Sequence, residues 1–297
     1  MRLSLFIAKR YLISKKSHNL INVISIISVV GLSVGTMALI VVLSVFNGFE
    51  EVIKSLYTSF NADMRITAVS GKTINYSNFP TEKILSISGV KNLTQVVEED
   101  ALFKYRDKQH IAKIKGVSEG FIESSELDSM IVNGNFVLQE GNANFAVVGA
   151  GIAWYLDIYP ENISDLLSVY VPKRGNQSSF NFENAFNSSA LHPTGVFSVQ
   201  QEFDEKYVFV PLRFAKIMMN YGDEVTSVEI RLLPDYDTKP IQESIKKILG
   251  NEFEVKNRYQ QNETLFKLLK SEKTAIFFIL VFILLLSSFN MIGSISI

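Results

Sequence analysis

Histidine and cysteine, the side chains best suited to acid–base, nucleophilic and zinc chemistry at neutral pH, are scarce in this chain. It has three histidines, His18, His110 and His192, and no cysteine. A Ser-His-Asp arrangement or a His-rich zinc site therefore has almost no raw material. Disulfides, thiolate nucleophiles and cysteine-based zinc sites are absent together, which fits an oxidising compartment without demonstrating one. No Gly-x-x-x-x-Gly-Lys-Ser/Thr phosphate loop occurs. The densest acidic cluster, Glu98-Glu99-Asp100, lies between two strand-like runs and reads as a solvated turn, since calcium loops space their ligands rather than place them consecutively. Trp154 and Tyr155 read as core or rim aromatics rather than a ligand platform. The sequence predicts no catalytic residue, no metal site and no cofactor held by this chain.

Its spacing points to packing inside a membrane instead. Gly31-Leu32-Ser33-Val34-Gly35, with Ser28, Thr36 and Ser44 nearby, puts Gly31 and Gly35 on one helix face. There a second helix can approach closely, because lipid tails supply no hydrophobic drive for helix association. A net charge of -1 gives no support for nucleic-acid binding, which usually shows a strongly basic face. Asn-x-Ser/Thr sequons stand at Asn75, Asn92, Asn162, Asn176, Asn187 and Asn262, and arise easily by chance in so Asn- and Ser-rich a chain.

The elements that must position these residues follow from the charge distribution. Composition is average, 47% apolar and 20% charged, but no Asp, Glu, Lys or Arg occurs between Lys16 and Glu50 or after Lys273. About 20 mainly apolar residues cross a hydrocarbon core of about 30 Å, so residues 20–46 and 274–297 read as two membrane helices. The first is too long for a cleaved signal peptide. Arg2, Lys9, Arg10, Lys15 and Lys16 precede it and Glu50 and Glu51 follow it, which places the N-terminus in the cytoplasm and the central region outside. Residues 1–19 mix Leu3, Phe6, Ile7, Tyr11, Leu12 and Ile13 with those basic residues, the pattern of a short amphipathic segment at the headgroup level.

Outside the first span, Phe49, Val52, Ile53, Leu56, Tyr57 and Phe60 recur at helical spacing. Before the second span, Leu265, Leu268 and Leu269 do the same, with Lys267, Lys270 and Lys273 on the remaining surface. Residues 47–61 and 263–273 are therefore expected to extend both membrane helices outward as stalks. The domain between them, 62–262, reads as α+β. Its strand-like runs are Met64–Val69, Val90–Val97, Ala101–Tyr105, His110–Lys115, Ala146–Ala150, Ser168–Val171, Tyr207–Val210 and Val225–Leu232. Helices are expected from Pro80 to Leu85, from Leu212 to Met219, and from Ile241 to Leu249 with Gly250 closing the last. Arg106-Asp107-Lys108-Gln109 reads as a hairpin connection. Gly175 to Ala190 has no period and reads as a loop whose Phe180, Phe182 and Phe186 either meet a partner or fold back.

Gly35-Thr36-Met37-Ala38-Leu39-Ile40-Val41-Val42-Leu43-Ser44-Val45-Phe46-Asn47-Gly48-Phe49 resembles the first membrane helix and exit of the lipoprotein-releasing permeases (LolC and LolE type). These belong to the wider group of macrolide-exporter-like and FtsX-like permeases. Leu265-Phe266-Lys267 through Phe289-Asn290-Met291-Ile292 is similar to the start of that family's second helix. Phe6-Ile7-Ala8-Lys9-Arg10-Tyr11-Leu12 also fits, and Ala112–Val117 and Val148–Ala153 match more weakly. Where the family has Gly-Asp before a Val-rich strand, this chain has Glu161-Asn162-Ile163-Ser164-Asp165. The family has four membrane helices and a cytoplasmic coupling segment after the second, whereas this sequence stops at Ile297, so a C-terminally truncated fragment is expected.

The resemblance implies a bacterial inner-membrane protein with a macrolide-exporter-like periplasmic core. It implies a second permease subunit as partner, in a homodimer or heterodimer, and cytoplasmic ABC ATPase subunits that bind the ATP. A lipoprotein would enter from the membrane lipid and pass to a periplasmic carrier, with Met37, Ile40, Val41, Phe278 and Phe282 as a possible lipid path. Two alternatives stay open: an export or mechanotransmission permease of the same group, and a two-span extracytoplasmic sensor.

Overall fold

The computed structural model describes residues 3, 6, 7, 19–121, 127–162, 164–174 and 185–296. Most of the N-terminal segment, with Phe180 and Phe182, lies outside the described residues, as do the side chains of Leu56, Tyr57 and Phe60. Two compact units emerge, Met1–Ile53 with Glu263–Ile297, and Lys54–Asn262.

Along the chain come helix α1 (Asn19–Phe60), strands β1 (Met64–Ala68) and β2 (Ile74–Asn75), helix α2 (Thr81–Leu85), and strands β3 (Val90–Tyr105) and β4 (Lys108–Val117). Next are strands β5 (Ile131–Gly134), β6 (Gln139–Glu140) and β7 (Ala143–Gly149), helix α3 (Ala150–Leu156), and strands β8 (Leu167–Pro172) and β9 (Phe186–Phe197). Helix α4 (Gln201–Asp204), strand β10 (Tyr207–Pro211), helix α5 (Leu212–Met219), and strands β11 (Glu224–Val225) and β12 (Ser227–Leu232) follow. Helix α6 (Thr238–Leu249), strand β13 (Phe253–Asn257), and helices α7 (Arg258–Gln261) and α8 (Glu263–Ser296) complete the order.

Neither α1 nor α8 contains a proline, and each runs unbroken through its apolar stretch. Such a helix satisfies its own backbone hydrogen bonds, which is the condition for crossing hydrocarbon. The apolar spans are Val29–Ile53, 25 residues, and Glu263–Phe289, 27 residues, and among their described side chains only Leu269 is buried by protein. Asn47-Gly48 does not interrupt α1, and Glu263–Lys273 is continuous with the rest of α8.

The second unit is organised by a sheet with strand order β13-β1-β12-β3-β4-β10-β7-β9-β5, to which β6 adds through β7 and β8 through β3 and β9. Most neighbours are antiparallel, but β10 runs parallel to β4 and β7 parallel to β9. One sheet face packs its apolar side chains, Val97, Ala101, Phe103, Ala112 and Ile114 among them, into the main core with Ile152 and Leu156 of α3, Phe214 and Met218 of α5, and Ile241 and Ile245 of α6. Gly116 sets the approach of α5, because a Cβ there would stand 2.2 Å from that of Ala215. On the other face Phe121, Phe136 and Phe197 surround Phe209, with ring centroids 5.5, 6.0 and 5.3 Å away.

Several expectations need correction. Val90–Tyr105 is one sixteen-residue strand, not two strands separated by an acidic turn. Glu98, Glu99 and Asp100 stay in the ladder because β4 places cations opposite two of them, pairing Glu98 with Lys115 and Asp100 with Lys113. The hairpin turn is only Arg106–Asp107, with Arg106 at φ 53, and Lys108 and Gln109 already belong to β4. The strand at Ala146 ends at Gly149, and Ala150 starts α3. Val225–Leu232 is interrupted at Thr226, whose N–H and hydroxyl both donate to Val96 O, at 2.9 and 3.0 Å. Phe186–Ala190 is strand rather than loop, paired with β8 from Pro172↔Phe186 to Ser168↔Ala190. Most of its side chains are solvent-exposed, so no apolar alternation announces it.

Candidate functional site

The helix unit contains the predicted packing face. A Cβ on Gly35 would lie 3.2 Å from Leu284 Cδ2 of α8, whereas among the described residues no atom comes within 4 Å of one on Gly31. Among the described residues, then, it is Gly35 that meets the second helix. Thr36 Oγ1 donates to Leu32 O at 2.8 Å, within its own helix. Lys273 Nζ donates to Glu50 Oε2 at 3.1 Å, joining the residues that bound the two uncharged stretches. Met37, Ile40 and Val41 of α1 and Phe278 and Phe282 of α8 are exposed, as lipid-facing side chains would be. Of the stalk residues, Phe49, Val52 and Leu268 are exposed, Ile53 and Leu265 half-buried, and Leu269 buried.

Where the sheet unit receives the chain from α1 and returns it to α8, the two crossings are tied together. β1 and β13 pair from Met64↔Asn257 to Ala68↔Phe253. Arg258 donates to Asp63 Oδ1 at 2.6 Å, Leu232 N–H donates to Asp63 Oδ2 at 2.9 Å, and Gln261 Nε2 donates to Ala62 O at 3.0 Å. Asn257 and Gln260 form a capping box at the start of α7, and Gln242 Nε2 reaches both Val255 O and Gln260 Oε1, at 2.8 and 2.7 Å. Sequence reading missed this clasp and β13. The Asn-x-x-Gln cap was a usable local signal, but residues 195 positions apart leave no local trace of pairing.

The acidic cluster is dismantled by strand alternation into three separate contacts. Glu98 accepts from Arg65 at 2.8 Å, Asp100 pairs with Lys113 at 3.0 Å and Glu99 lies 3.8 Å from Lys72. Lys115, buried beside Glu98, donates to the equally buried Glu229 at 2.8 Å and sits 5.4 Å from the Phe121 ring and 5.9 Å from that of Phe209. Burial alone would raise the Glu98 carboxyl, but the charges of Arg65, Lys115 and Lys113 and the Arg65 hydrogen bond hold it below the usual carboxylate range. Burial, then the Glu98 charge, pushes the Tyr207 phenol far up, so it remains a donor and reaches Glu98 Oε1 at 3.4 Å. What this network does is fix the register of β1, β12, β3, β4 and β10.

Trp154, expected in a core or rim, is instead 83% exposed, with Tyr155 half-exposed beside it. The last turn of α3 buries Ala153 and Leu156, and that phase leaves these two rings in solvent.

Two long apolar helices bracket a mixed α+β domain, and the chain belongs to the family of the MacB-like periplasmic core domain, whose model matches residues 25–248, which makes it an FtsX-like membrane permease. Within that family it is of the LolC/LolE type. It is 27% identical over 298 residues to the lipoprotein-releasing system transmembrane protein LolC of Buchnera aphidicola subsp. Schizaphis graminum, an alignment covering 98% of this chain and 70% of that one. It is 22% identical over 303 residues to the transmembrane protein LolE of the same system in Haemophilus influenzae, covering 99% and 70%. The crystal structure of the periplasmic region of MacB from Actinobacillus actinomycetemcomitans aligns with a TM-score of 0.47 and 14% identity, over 70% of this chain and 94% of that one.

Proposed function

We propose that this chain is the membrane permease subunit of an ABC transporter that extracts lipoproteins from the bacterial inner membrane and passes them to a periplasmic carrier. The observation that carries the reading is the similarity to LolC and LolE across 98–99% of the chain, together with two apolar helices that flank the domain. In this reading the N-terminus is cytoplasmic and the sheet unit periplasmic. The chain itself performs no catalysis, and ATP is bound by a separate cytoplasmic ATPase subunit. A second permease subunit completes the membrane path.

The energetics require that division of labour. Each methylene buried in lipid contributes about 0.8 kcal/mol, so a multiply acylated protein does not leave the bilayer unaided. Met37, Ile40, Val41, Phe278 and Phe282 offer an apolar surface along which acyl chains can move without meeting a charge. The clasp of Asp63 and Arg258 makes the two chain crossings one mechanical unit at the base of the sheet, so displacement entering by one helix is shared with the other.

The test is depletion of the protein in its own host, with lipoproteins followed by membrane fractionation. Accumulation of outer-membrane lipoproteins in the inner membrane, reversed by the wild-type gene, is the expected result. Unchanged lipoprotein distribution after depletion would overturn the reading.

A further inference from the structure

The sheet unit contains an open cleft of about 880 Å³ between the β3–β4 hairpin and the end of α3. Trp154, Tyr155 and Tyr159 supply aromatic rings to it, and Asp107, Lys108, Asn133 and Asp157 supply polar groups. The backbone that carries the rings is anchored from below. Ala153, Leu156 and Ile158 are buried in the core, Asp157 ends α3 at φ 63, and Ile158 N–H donates to Ala153 O at 2.9 Å. The Tyr155 ring lies 5.0 Å from that of His110, whose Nε2 is 3.4 Å from Glu205 O. Tyr159, next along the loop, is again half-exposed.

A cluster of aromatic rings exposed to water needs a reason, because a Trp on the surface forgoes a large burial gain. The size of the cleft falls in the range of small-molecule sites, and its polar set decides which ligand fits. Two carboxylates disfavour an anion, the lysine that lines the cleft with them disfavours a simple cation, and a purely apolar ligand would leave all four polar groups desolvated without partners. A pyranose meets every requirement: its C–H faces lie on aromatic rings, and its hydroxyls both donate to carboxylates and amide oxygen and accept from the ammonium and amide N–H. We propose that this cleft binds a saccharide, stacked on Trp154 and Tyr159 and hydrogen-bonded through Asp107, Asn133 and Asp157. The site stands apart from lipoprotein release, and a negative result here leaves that reading untouched.

Trp154 is the sole tryptophan of the chain, so intrinsic fluorescence reports on this cleft. The whole chain, in lipid nanodiscs free of maltoside detergent, would be titrated with the N-acetylglucosamine tetramer and separately with maltotetraose. A saturable change in emission is expected. A response to the amino-sugar alone assigns a cell-wall-type glycan, and a response to both assigns pyranoses generally. Tyr159→Ala is expected to weaken binding about tenfold, the loss of one aromatic contact, and Asp157→Asn to weaken it less; both positions are at the surface, and circular dichroism would confirm that the variants fold. No saturable change with either sugar, or affinity unchanged in folded Tyr159→Ala, would overturn the proposal.

Discussion

Between α1 and α8 the specific contacts include one glycine facing a leucine and one lysine–glutamate pair. In the sheet unit, by contrast, Arg65, Glu98, Lys115 and Glu229 are drawn into the structure beneath aromatic rings and cross-linked over four strands. The difference follows from the solvent each region faces. In lipid a helix satisfies its own backbone, and close approach at small residues selects the partner. In water the sheet must specify register, since a slip of one residue would exchange its faces, and buried charges that fit in only one register do so.

The largest test of that contrast is Lys115→Ala. It leaves Glu229 buried without its partner, and should destabilise the sheet unit by about 3–5 kcal/mol, read as a lowered thermal midpoint of the full chain in nanodiscs. Replacing both, Lys115→Met with Glu229→Leu, should recover most of that loss if the pair serves register rather than net stability. A double variant as unstable as the single would show that the charges themselves hold the sheet.

Acid sharpens the same point. The Glu98 carboxyl is held below its ordinary value of 4.5 in the fold. Its contribution is therefore fully present above that value and is lost as pH falls through the lower folded value. Glu98→Gln should remove this part of the acid sensitivity while lowering stability at neutral pH. An unchanged slope of stability against pH below 4.5 would contradict it.

The clasp at the base of the sheet comes next. Asp63→Ala removes acceptors from Arg258 and from the Leu232 N–H, and should cost about 2 kcal/mol, the scale of a charge-assisted hydrogen bond. Lipoprotein release should fall further than stability does if the clasp couples the helices. A loss of release in proportion to the loss of folded protein would reduce its role to structure.

What the sequence disclosed divides along the same line as the contrast. The long helices that run unbroken through both apolar stretches, and strands with apolar alternation such as Leu167–Pro172, were legible because each is written in a local pattern. Glu98-Glu99-Asp100 misled because the cations that keep it in a strand lie on β1 and β4, and no local pattern reports them. Trp154 misled for the opposite reason: a hydrophobic residue in an apolar helix is normally buried, and only the phase of a two-turn helix turns it outward. The Asp63–Arg258 clasp and β13 were invisible because their partners are far apart in sequence.

In the helix unit the effects should be smaller. Gly35→Ile adds bulk where even a Cβ would stand 3.2 Å from Leu284 Cδ2, and should weaken helix association by about 1–2 kcal/mol, whereas Gly31→Ile, which meets nothing among the described residues, should not. Cysteines placed at Glu50 and Lys273, whose side chains meet, report the change as a loss of cross-linking yield. Equal effects of the two substitutions would mean that a partner outside this chain packs on Gly31.

The smallest expected effect is that of Lys273→Ala. The pair with Glu50 is partly exposed, with side chains 39% and 25% accessible, and such pairs are worth less than about 1 kcal/mol once solvent screening is counted. A double-mutant cycle with Glu50→Ala isolates the coupling from whatever else each residue touches. A coupling near zero in 0.5 M salt and measurable in dilute buffer would fit a pair at the water interface, since salt screens exposed charges and spares buried ones. A coupling above about 2 kcal/mol that ignores salt would instead place the pair in a dry environment. It would then be a helix-locking element, and the contrast between a lightly fastened helix pair and a heavily fastened sheet would fail.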